Sequence, residues 1–437
     1  MRTTVKGRAG TVAAICALAA ALAGCGGGGS DSPKASGPAT LTFWGEAEGL
    51  AKQTAAWNAA HPDIQVKFTK VTLGYPDYQK IAAAVKAGNG PCVGQTDAEH
   101  LVTFASQGLV QDITKYASTY QNLFTAPAWK AMSPGGTTYA LPLSASPNFF
   151  AYRTDLYKKY GLTPPKTWDE FIADGKKLRA ANPKLTMMNY APEDPSGFVG
   201  LVWEAGGTWY KQSGNGWQVT FTSPESLKAA NVLQQFVDEK LLSSVSYSDP
   251  GVWKTWDEGG TLSMTTSTWQ LPIYAKSFPK SDGKWAVTTV PQYAAGQSST
   301  DSGYRGVTVY KGCKDTQQAV KFAAWLGSDK APVTALADPN SGSGLFPALK
   351  DVTPYVTGLA PKKMIPQDDA AQVITTAAGQ VNAAWEFGPD YATMYQKMQT
   401  YWPKVLSGQM KVTDMLNEMQ RFVVGDLKSQ GINVVAG

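Results

Sequence analysis

The sequence predicts an α/β fold, in which short strands and helices alternate along the chain. Residues 41–44 form an apolar run typical of a buried strand, and apolar residues at every second position of 64–68 indicate a strand with one covered face. Between these segments apolar residues recur at helical spacing. Pro62 ends that pattern, because a residue before proline rarely adopts the helical conformation. Such alternation is expected of a parallel sheet covered by helices.

Later segments continue the alternation and contain recognisable helix starts. Thr167 and Glu170 match a capping box, in which both side chains bond backbone N–H groups at the start of the helix. Ser223 followed by Pro224 is a second helix start, because proline is tolerated at the first helical position. The remaining pattern predicts a helix over 78–85, a strand over 307–310, a helix over 319–326 and mostly helical structure from 370 to 423.

The N-terminus has the composition of an export signal. Three basic residues precede an apolar run over 12–23, and small residues follow it. The run is shorter than the ~20 residues that a membrane-spanning helix needs. Leu22-Ala23-Gly24-Cys25 resembles the lipobox of bacterial lipoproteins, which implies that residues 1–24 are removed and that Cys25 is acylated. Residues 25–39 would then form a flexible tether. An ordinary signal peptide with a chance cysteine is the alternative.

Composition and charge exclude some classes of function. Apolar residues make up 43% of the chain and charged residues 17%, as in ordinary globular proteins, and the length suffices for two or three domains. The formal net charge of +5 includes the three cations of the leader. The remaining positive charge is too small to indicate a nucleic-acid partner.

The aromatic content and the missing catalytic motifs favour binding over catalysis. The chain contains 14 Trp, 19 Tyr and 15 Phe, and aromatic rings stack on the apolar faces of sugars as well as packing cores. Two histidines are too few for most metal sites or catalytic triads, and no zinc-protease, phosphate-loop or nucleophile-elbow motif occurs. We therefore expect that the protein is not an enzyme and that it binds neither a metal nor a cofactor. Two carboxylates suffice for a glycosidase, however, and acidic residues are available.

A series of short segments, spread over nearly the whole chain after the leader, follows the order found in one known family. Its longest runs are residues 152–157 and 161–171. The others are 41–44, 61–64, 78–81, 108–113, 139–142, 259–269, 303–309 and 319–326. Together they resemble the extracellular solute-binding proteins of ATP-driven (ABC) importers, and in particular the carbohydrate branch that includes maltose-binding protein.

This resemblance implies a periplasmic-binding-protein-like fold of two α/β lobes, each a sheet flanked by helices, joined by a hinge of several crossing segments. The first lobe would take residues 40–146 and 303–345, and the second 147–302 and 346–437. Ligand would bind between the lobes, and hinge closure would present the loaded protein to the membrane permease subunits of the importer. The protein would act as a monomer on the extracellular face of the cytoplasmic membrane, anchored by lipid on Cys25.

Cys92 and Cys313 are the cysteines that remain after the leader and Cys25. An extracellular location permits them to pair, and two buried free thiols are the alternative. The family usually has aspartate at the position of Cys92, and it places the strand before Cys313 in the same lobe. This departure from the family pattern favours a disulfide between Cys92 and Cys313.

The predicted ligand site combines aromatic platforms with planar hydrogen-bonding groups for sugar hydroxyls. Trp269 stands where the family commonly presents an aromatic platform. Trp44, Glu46 and Asp97 come at the carboxyl ends of predicted strands, the edge that binds ligands in doubly wound sheets. The other candidates are Asn148 at the first lobe crossing, Trp203 and Glu204 before a double glycine, Tyr304 and Arg305 where the chain re-enters the first lobe, and Trp385 and Glu386. A packing or surface role is the alternative for each.

The sequence thus predicts a lipid-anchored receptor that delivers a di- or oligosaccharide to an importer. A binding protein for a polyol or a sugar phosphate is the second reading. A phosphate would need clustered cations near the cleft, and Arg305 is the only obvious one. An exported carbohydrate-active enzyme is the third reading.

Overall fold

The computed structural model describes residues 38–294 and 303–435 of the chain. The predicted signal peptide, Cys25 and nearly all of the predicted tether lie outside the described residues. The strands, in chain order, are β1 (Ala39–Gly45), β2 (Ile64–Lys70), β3 (Val93–Asp97), β4 (Ala140–Ala145), β5 (Phe149–Arg153), β6 (Met188–Asn189), β7 (Tyr210–Ser213), β8 (Gly216–Val219), β9 (Leu242–Ser243), β10 (Ser263–Thr266), β11 (Trp285–Thr289), β12 (Arg305–Val309), β13 (Phe346–Pro347) and β14 (Val434–Val435).

Helices separate most of these strands, which confirms the predicted α/β class. They are α1 (Leu50–Ala60), α2 (Tyr75–Lys86), α3 (Ala98–Ser106), α4 (Thr114–Ala117), α5 (Ala126–Ala131), α6 (Thr154–Tyr160), α7 (Trp168–Ala181), α8 (Ser196–Glu204), α9 (Pro224–Asp238), α10 (Pro250–Asp257), α11 (Leu271–Ser277), α12 (Thr316–Ser328), α13 (Lys330–Ala337), α14 (Thr353–Val356), α15 (Ala370–Gly379), α16 (Tyr391–Leu406) and α17 (Val412–Ser429). Within the described ranges, no helix is both long and apolar enough to cross a membrane.

The larger sheet has the strand order β13-β4-β12-β3-β1-β2. β1 is parallel to both β2 and β3, as predicted, but β12 is antiparallel to β3 and to β4. The prediction of a parallel sheet is therefore wrong for this part of it. The physical reason is the route of the chain: β12 enters the sheet at the end where β3 stops, with Arg305 opposite Asp97.

A second, smaller sheet has the order β10-β5-β11, and both pairings are antiparallel. Its central strand β5 follows β4 of the larger sheet after residues 146–148, which form the first crossing between the two sheets. We call the part built on the larger sheet the first lobe and the part built on the smaller sheet the second lobe. The predicted lobe boundaries remain a prediction, and β13, at residues 346–347, still pairs with β4 of the larger sheet.

Local sequence explains where several helices begin and end. The hydroxyl of Thr167 accepts a hydrogen bond from the backbone N–H of Glu170 at 3.2 Å, so the predicted helix start is confirmed. The carboxylate of Glu170 accepts from the backbone N–H of Lys166 at 2.6 Å, one residue before the position that a regular capping box uses. Ser223 caps α9 through the N–H of Ser226 in the same way.

Aromatic side chains fasten the helices of the first lobe to its sheet. The ring of Phe43 on β1 lies 5.3 Å from that of Phe322 on α12, and Trp57 of α1 lies 5.4 Å from the same ring. The indole N–H of Trp57 donates to the carbonyl of Ile64, which links α1 to the first residue of β2. Each fully buried side chain of this size contributes roughly 1.5–3 kcal/mol through removal of apolar area from water.

A disulfide joins Cys92 to Cys313, with 4.5 Å between their Cα atoms. Cys92 directly precedes β3, and Cys313 follows β12, which is the neighbouring strand of the larger sheet. The two residues are 221 positions apart, so the bond closes a very long loop through the second lobe. A cross-link of this length restricts the unfolded chain strongly.

Replacing both cysteines, Cys92→Ala with Cys313→Ala, is expected to lower the free energy of unfolding by about 2–5 kcal/mol, because the unfolded chain regains loop entropy. Urea unfolding of the oxidised wild type and of the double variant measures this difference. Wild type unfolded in the presence of a reductant is the matched control and should behave like the variant. Equal unfolding midpoints for oxidised and reduced wild type would contradict a stabilising role of this bond.

A buried acid near the start of α16 makes stability depend on pH. Asp390 is only 3% exposed, and its carboxyl has Tyr210 of β7 and Asp426 of α17 as neighbours. Burial raises the pKa of Asp390 to about 7, and the negative charge of Asp426 adds to this rise. The folded protein therefore favours the protonated acid, and the stability that this acid contributes is lost as the pH rises from about 4 through about 7.

Asp390→Asn should remove this pH dependence because an amide does not ionise. We expect the variant to unfold at the wild-type denaturant concentration near pH 3, where the acid is protonated in both the folded and the unfolded chain, and to be more stable than wild type near pH 8 by on the order of 2–4 kcal/mol. Urea unfolding at both pH values measures this, and Asp368→Asn, at a fully exposed acid, is the control that should change nothing. A pH profile unchanged by Asp390→Asn would show that Asp390 is not the titrating group.

Candidate functional site

A cleft of about 450 Å³ is lined by residues from both lobes. The first lobe and its crossings contribute Glu99, Asn148 and Gly303, and the second lobe supplies the larger share of the wall. The aromatic residues of the wall are Trp168, Tyr190, Trp203, Tyr247, Trp253, Trp256, Trp269, Tyr274, Phe387, Tyr391 and Tyr395. A cavity of this size and lining is typical of small-molecule sites.

Trp269 stands on a short turn directly after β10. The turn is held by the side chain of Gln270, whose Oε1 accepts from the backbone N–H of Ser267 at 3.1 Å and from the hydroxyl of Thr266 at 3.0 Å. The indole of Trp269 is half-buried, and the guanidinium carbon of Arg305 lies 5.8 Å from the centre of its ring. A cation over one side of an indole leaves the remaining surface free for a second contact.

Arg305 forms the centre of a charged cluster at the edge of the larger sheet. Its Nε lies 2.6 Å from Oδ1 of Asp97, and one of its terminal nitrogens lies 3.9 Å from Glu46. Glu46 is held in turn, because its carboxylate accepts from the backbone N–H of Leu73. Trp44, two residues before Glu46 on β1, is half-buried against the core. Of these residues Arg305 contacts Trp269, and none of the four is part of the cleft wall.

The side chains of His100 and Tyr78 pack behind this cluster. The two rings stack with 3.7 Å between their centres, and the hydroxyl of Tyr78 accepts from the backbone N–H of Asp97 at 2.9 Å. Burial lowers the pKa of His100 to about 4, so the imidazole is neutral at physiological pH. The arrangement fixes the first turn of α3, which begins directly after Asp97.

One polar bridge inside the cleft joins two elements of the second lobe. The hydroxyl of Tyr395 on α16 donates to Oδ1 of Asp194 at 2.5 Å. Tyr391 lies one helical turn before Tyr395, so both rings face the same side, and both line the cleft. The carboxylate of Asp194 is thereby oriented at the start of α8.

The rim of the cleft carries exposed apolar groups. Tyr247 is 36% exposed and Ile273 is 45% exposed, and both line the cleft. The position of Tyr247 is defined by Glu193, whose carboxylate accepts from the backbone N–H of Tyr247 and from the hydroxyl of Ser246, both at 2.8 Å. The ring of Trp253 stacks against Tyr247 at 6.3 Å. An exposed apolar surface that continues a cleft marks an interaction site.

Glu204, the last residue of α8, is a buried acid in the wall of the cleft. It is only 3% exposed, and its Oε2 accepts from the indole N–H of Trp168 at 3.2 Å. Burial raises the pKa of Glu204 well above its usual range, and neither the hydrogen bond from Trp168 nor the charge of Lys228 offsets this. The buried site therefore favours the uncharged carboxyl.

A second crevice, of about 500 Å³, lies on the other side of Trp203 and Phe387. Trp203 and Trp385 stack with 5.1 Å between ring centres. Glu386 accepts from the backbone N–H of Gln212 at 3.0 Å and forms an ion pair with Lys130 of α5 at 3.2 Å. This ion pair connects α5 to the segment that precedes α16.

The sequence-predicted residues thus fall into three groups. Asn148, Trp203, Glu204 and Trp269 line the cleft. Glu46, Asp97 and Arg305 form the charged cluster that contacts Trp269 through Arg305, and Trp44 packs against the core. Tyr304, Trp385 and Glu386 line the second crevice together with Trp203. Most other residues of the cleft wall were not among the sequence candidates, and they include Asp194, Tyr247, Tyr391 and Tyr395. The helical spacing of Tyr391 and Tyr395 was the sequence signal that could have indicated these two residues. The same spacing is equally typical of a helix face that packs into the core.

The part of the chain that the structure describes contains no cluster of three or more His, Cys, Asp or Glu side chains that could hold a metal ion. The chemistry of the cleft consists instead of aromatic faces, amides, hydroxyls and acids. These groups stack and exchange hydrogen bonds, as is required for the recognition of a neutral polar ligand.

The sequence is similar to those of several proteins that are named as binding proteins. The chain is 26% identical over 288 residues to a lactose-binding protein of Rhizobium radiobacter. This alignment covers 61% of this chain and 64% of that protein. It is 27% identical over 262 residues to an sn-glycerol-3-phosphate-binding periplasmic protein of Salmonella typhi, which covers 52% of this chain and 56% of that protein.

Solved structures with the same fold cover more of the chain. The galacto-N-biose-/lacto-N-biose I-binding protein of the ABC transporter from Bifidobacterium longum, in complex with lacto-N-biose, superposes with a TM-score of 0.80 at 26% identity. The match covers 92% of this chain and all of that one. It confirms the predicted two-lobed fold. The family model of bacterial extracellular solute-binding proteins matches residues 44–331, more than half of the chain. The chain therefore belongs to the family of bacterial extracellular solute-binding proteins.

Proposed function

We propose that this protein binds a di- or oligosaccharide between its lobes and delivers it to the permease of an ABC importer. The observation that carries the proposal is the cleft itself, in which indole and phenol rings stand beside amides and acids. Sugar rings present apolar C–H faces to aromatic platforms and hydroxyls to planar polar groups. Its volume of about 450 Å³ lies in the ordinary range for a small ligand, roughly 300–1,000 Å³.

Trp269 is the proposed main platform for the sugar. It stands at the mouth of the second lobe with Arg305 of the first lobe beside its ring. Asn148, at the crossing between the sheets, and Asp194, oriented by Tyr395, offer hydrogen bonds to hydroxyls. Each bond contributes about 0.5–1.5 kcal/mol net, so several are needed together with the aromatic contact. The relatives named for lactose and for lacto-N-biose support a ligand of at least two sugar units.

Ligand binding is proposed to favour the closed arrangement of the lobes. A ligand shifts such an equilibrium only through contacts that it makes better in one state than in the other. A sugar that stacks on the surface of Trp269 left free by Arg305, and that bonds Asn148 at the crossing, makes contacts that exist only when both lobes approach it. The permease is then able to distinguish the loaded protein from the empty one by its shape.

The location that we propose is the extracellular face of the cytoplasmic membrane. Acylation of Cys25 after removal of residues 1–24 would anchor the protein there, and residues 25–39 would connect the anchor to the first lobe. Diffusion would then be limited to the neighbourhood of the permease, which raises the effective concentration of the monomeric receptor there. Incorporation of radiolabelled palmitate in a bacterial host that processes lipoproteins, compared with Cys25→Ala, tests this anchor.

A phosphate-containing ligand and an enzymatic function both fit the cleft less well. A sugar or glycerol phosphate requires cations, and no Lys or Arg side chain is found among the described residues of its wall. Arg305 lies beside the cleft but is already paired with Asp97. Catalysis would require a pair of carboxyl groups working on one bond, whereas Glu204 is held by Trp168 and Asp194 by Tyr395. We therefore propose a binding protein that is not an enzyme.

A thermal-shift screen with lactose, lacto-N-biose, β-1,6-galactobiose, maltose and glycerol 3-phosphate tests the proposed function. A receptor melts at a higher temperature with its ligand, while chromatography finds the sugar intact afterwards. A shift with glycerol 3-phosphate alone, or consumption of a sugar, would contradict the proposal. So would the absence of any shift over a wider panel of xylan, cellulose, chitin and starch fragments.

Trp269→Ala should weaken the binding of a saccharide identified in this screen by at least about tenfold, equivalent to ~1.4 kcal/mol, because the sugar loses its stacking surface. Isothermal titration calorimetry measures the affinity. Trp325→Ala is the matched control, because Trp325 is a partly buried tryptophan outside both cavities. Unchanged affinity of Trp269→Ala would remove Trp269 from the proposed site.

A further inference from the structure

The buried acid Glu204 has a free hydrogen-bonding atom that the fold itself does not use. Oε2 accepts from the indole of Trp168, but Oε1 has no hydrogen-bond partner in the part of the protein that the structure describes. A buried polar atom without a partner costs free energy, on the order of 1–3 kcal/mol. Such an atom calls for an explanation, and a partner supplied by a bound ligand is one.

No side chain of α8 itself covers the carboxyl of Glu204. Helical side chains lean towards the N-terminus, so the side chain of Glu204 lies over the turn that contains Gly200, four residues earlier. Glycine has no side chain to fill the space above that turn. Gly197, one further turn back on the same face, also lines the cleft, and so do Gly200 and Glu204. The ring of Tyr190 packs directly over Gly197, so the space beside the acid is the one above Gly200.

The surroundings of Glu204 keep it uncharged. It is 3% exposed and ends α8, where the partial negative charge of the helix carboxyl terminus disfavours an anion. The titratable groups that face it from neighbouring elements are Lys228 of α9, Tyr190 after β6 and Tyr293 after β11. Lys228 lies over the ring of Tyr293 at 4.7 Å and makes no ion pair with Glu204. Burial raises the pKa of both tyrosines, so both remain uncharged phenols.

The hydrogen bond from Trp168 determines where the proton of Glu204 resides. An indole N–H only donates, and it donates to Oε2, at 3.2 Å. A carbonyl oxygen is a better acceptor than the hydroxyl oxygen of an acid, so Oε2 is the carbonyl end and the proton is on Oε1. Oε1 is therefore a donor, and its missing partner must be an acceptor.

We propose that Glu204, as an uncharged acid, donates a hydrogen bond from Oε1 to a neutral oxygen of the bound saccharide. This inference rests on the proposed function, because it takes the saccharide as the ligand of the cleft. It specifies the chemical group at the inner end of the ligand, which is the end that lies against Glu204. A hydroxyl or carbonyl oxygen fits there. An ammonium group, which has no acceptor, is rejected, because Oε1 would have to release its proton into a buried position.

Two substitutions separate hydrogen bonding from packing. In Glu204→Gln the amide oxygen accepts from Trp168 and the NH₂ group donates in place of Oε1, so affinity should stay within about twofold of wild type. In Glu204→Leu the volume is similar but no donor remains, so affinity should fall about tenfold, as expected for one lost hydrogen bond together with an unpaired ligand oxygen. Calorimetry with lactose, lacto-N-biose or β-1,6-galactobiose as the probe measures both variants.

The dependence of affinity on pH provides a readout that a purely structural role would not change. Burial raises the pKa of Glu204 well above its usual range, so wild-type affinity should fall when the pH is raised far enough to remove this proton, since the anion cannot donate. Glu204→Gln should show no such fall. Asp390→Asn is the matched control, because it removes another buried acid outside both cavities and should leave the wild-type pH profile of affinity intact.

Each result decides the matter. Retained binding by Glu204→Gln together with weakened binding by Glu204→Leu supports the inference, provided that both variants melt cooperatively. Glu204→Leu that binds as tightly as wild type overturns it, and so does Glu204→Gln that weakens as much as Glu204→Leu or keeps the wild-type fall with pH. If wild type binds no saccharide at all, both the proposed function and this inference are overturned, whereas the preceding results concern Glu204 alone.

Discussion

The return of the chain into the larger sheet through β12 is the constraint on which the proposed binding site depends. β12 lies between β3 and β4, and the antiparallel register with β3 sets Arg305 opposite Asp97. The resulting ion pair, at 2.6 Å, holds the guanidinium 5.8 Å from the ring of Trp269 in the other lobe. A shift of the β12 register by one residue would turn the side chain of Arg305 to the opposite face of the sheet and break its ion pair with Asp97. One strand pairing therefore assembles a site from segments that are far apart in sequence.

Much of the fold was predictable because its determinants are local. Pro62 ends α1, Thr167 starts α7 and Ser223 starts α9, and in each case the decisive residues lie within one helical turn. The direction of β12 was not predictable from its own sequence, since an apolar run pairs equally well in either direction. That direction follows from the route of the chain out of the second lobe, which no residue of β12 encodes.

The ligand site was predictable only where a residue carries a chemical signal of its own. A tryptophan after a polar strand, such as Trp269, is conspicuous in the sequence. Asp194 and Tyr395 are ordinary residues until the packing of α16 brings them within 2.5 Å of each other in the cleft. Trp385 and Glu386 were chosen as a pair, yet they line the second crevice, because Trp385 stacks on Trp203 and Glu386 bonds Lys130. Such placement depends on long-range packing, which periodicity does not report.

The account as a whole depends on a sugar bound between two lobes, with an indole beneath it and a first-lobe ion pair beside it. A crystal structure of the protein with a saccharide that raises its melting temperature tests this most directly. The account predicts a sugar ring stacked on Trp269, with the oxygen at its inner end within about 3 Å of Oε1 of Glu204. A saccharide bound only in the second crevice or on the outer surface, with the cleft empty or filled by the protein's own side chains, would contradict it.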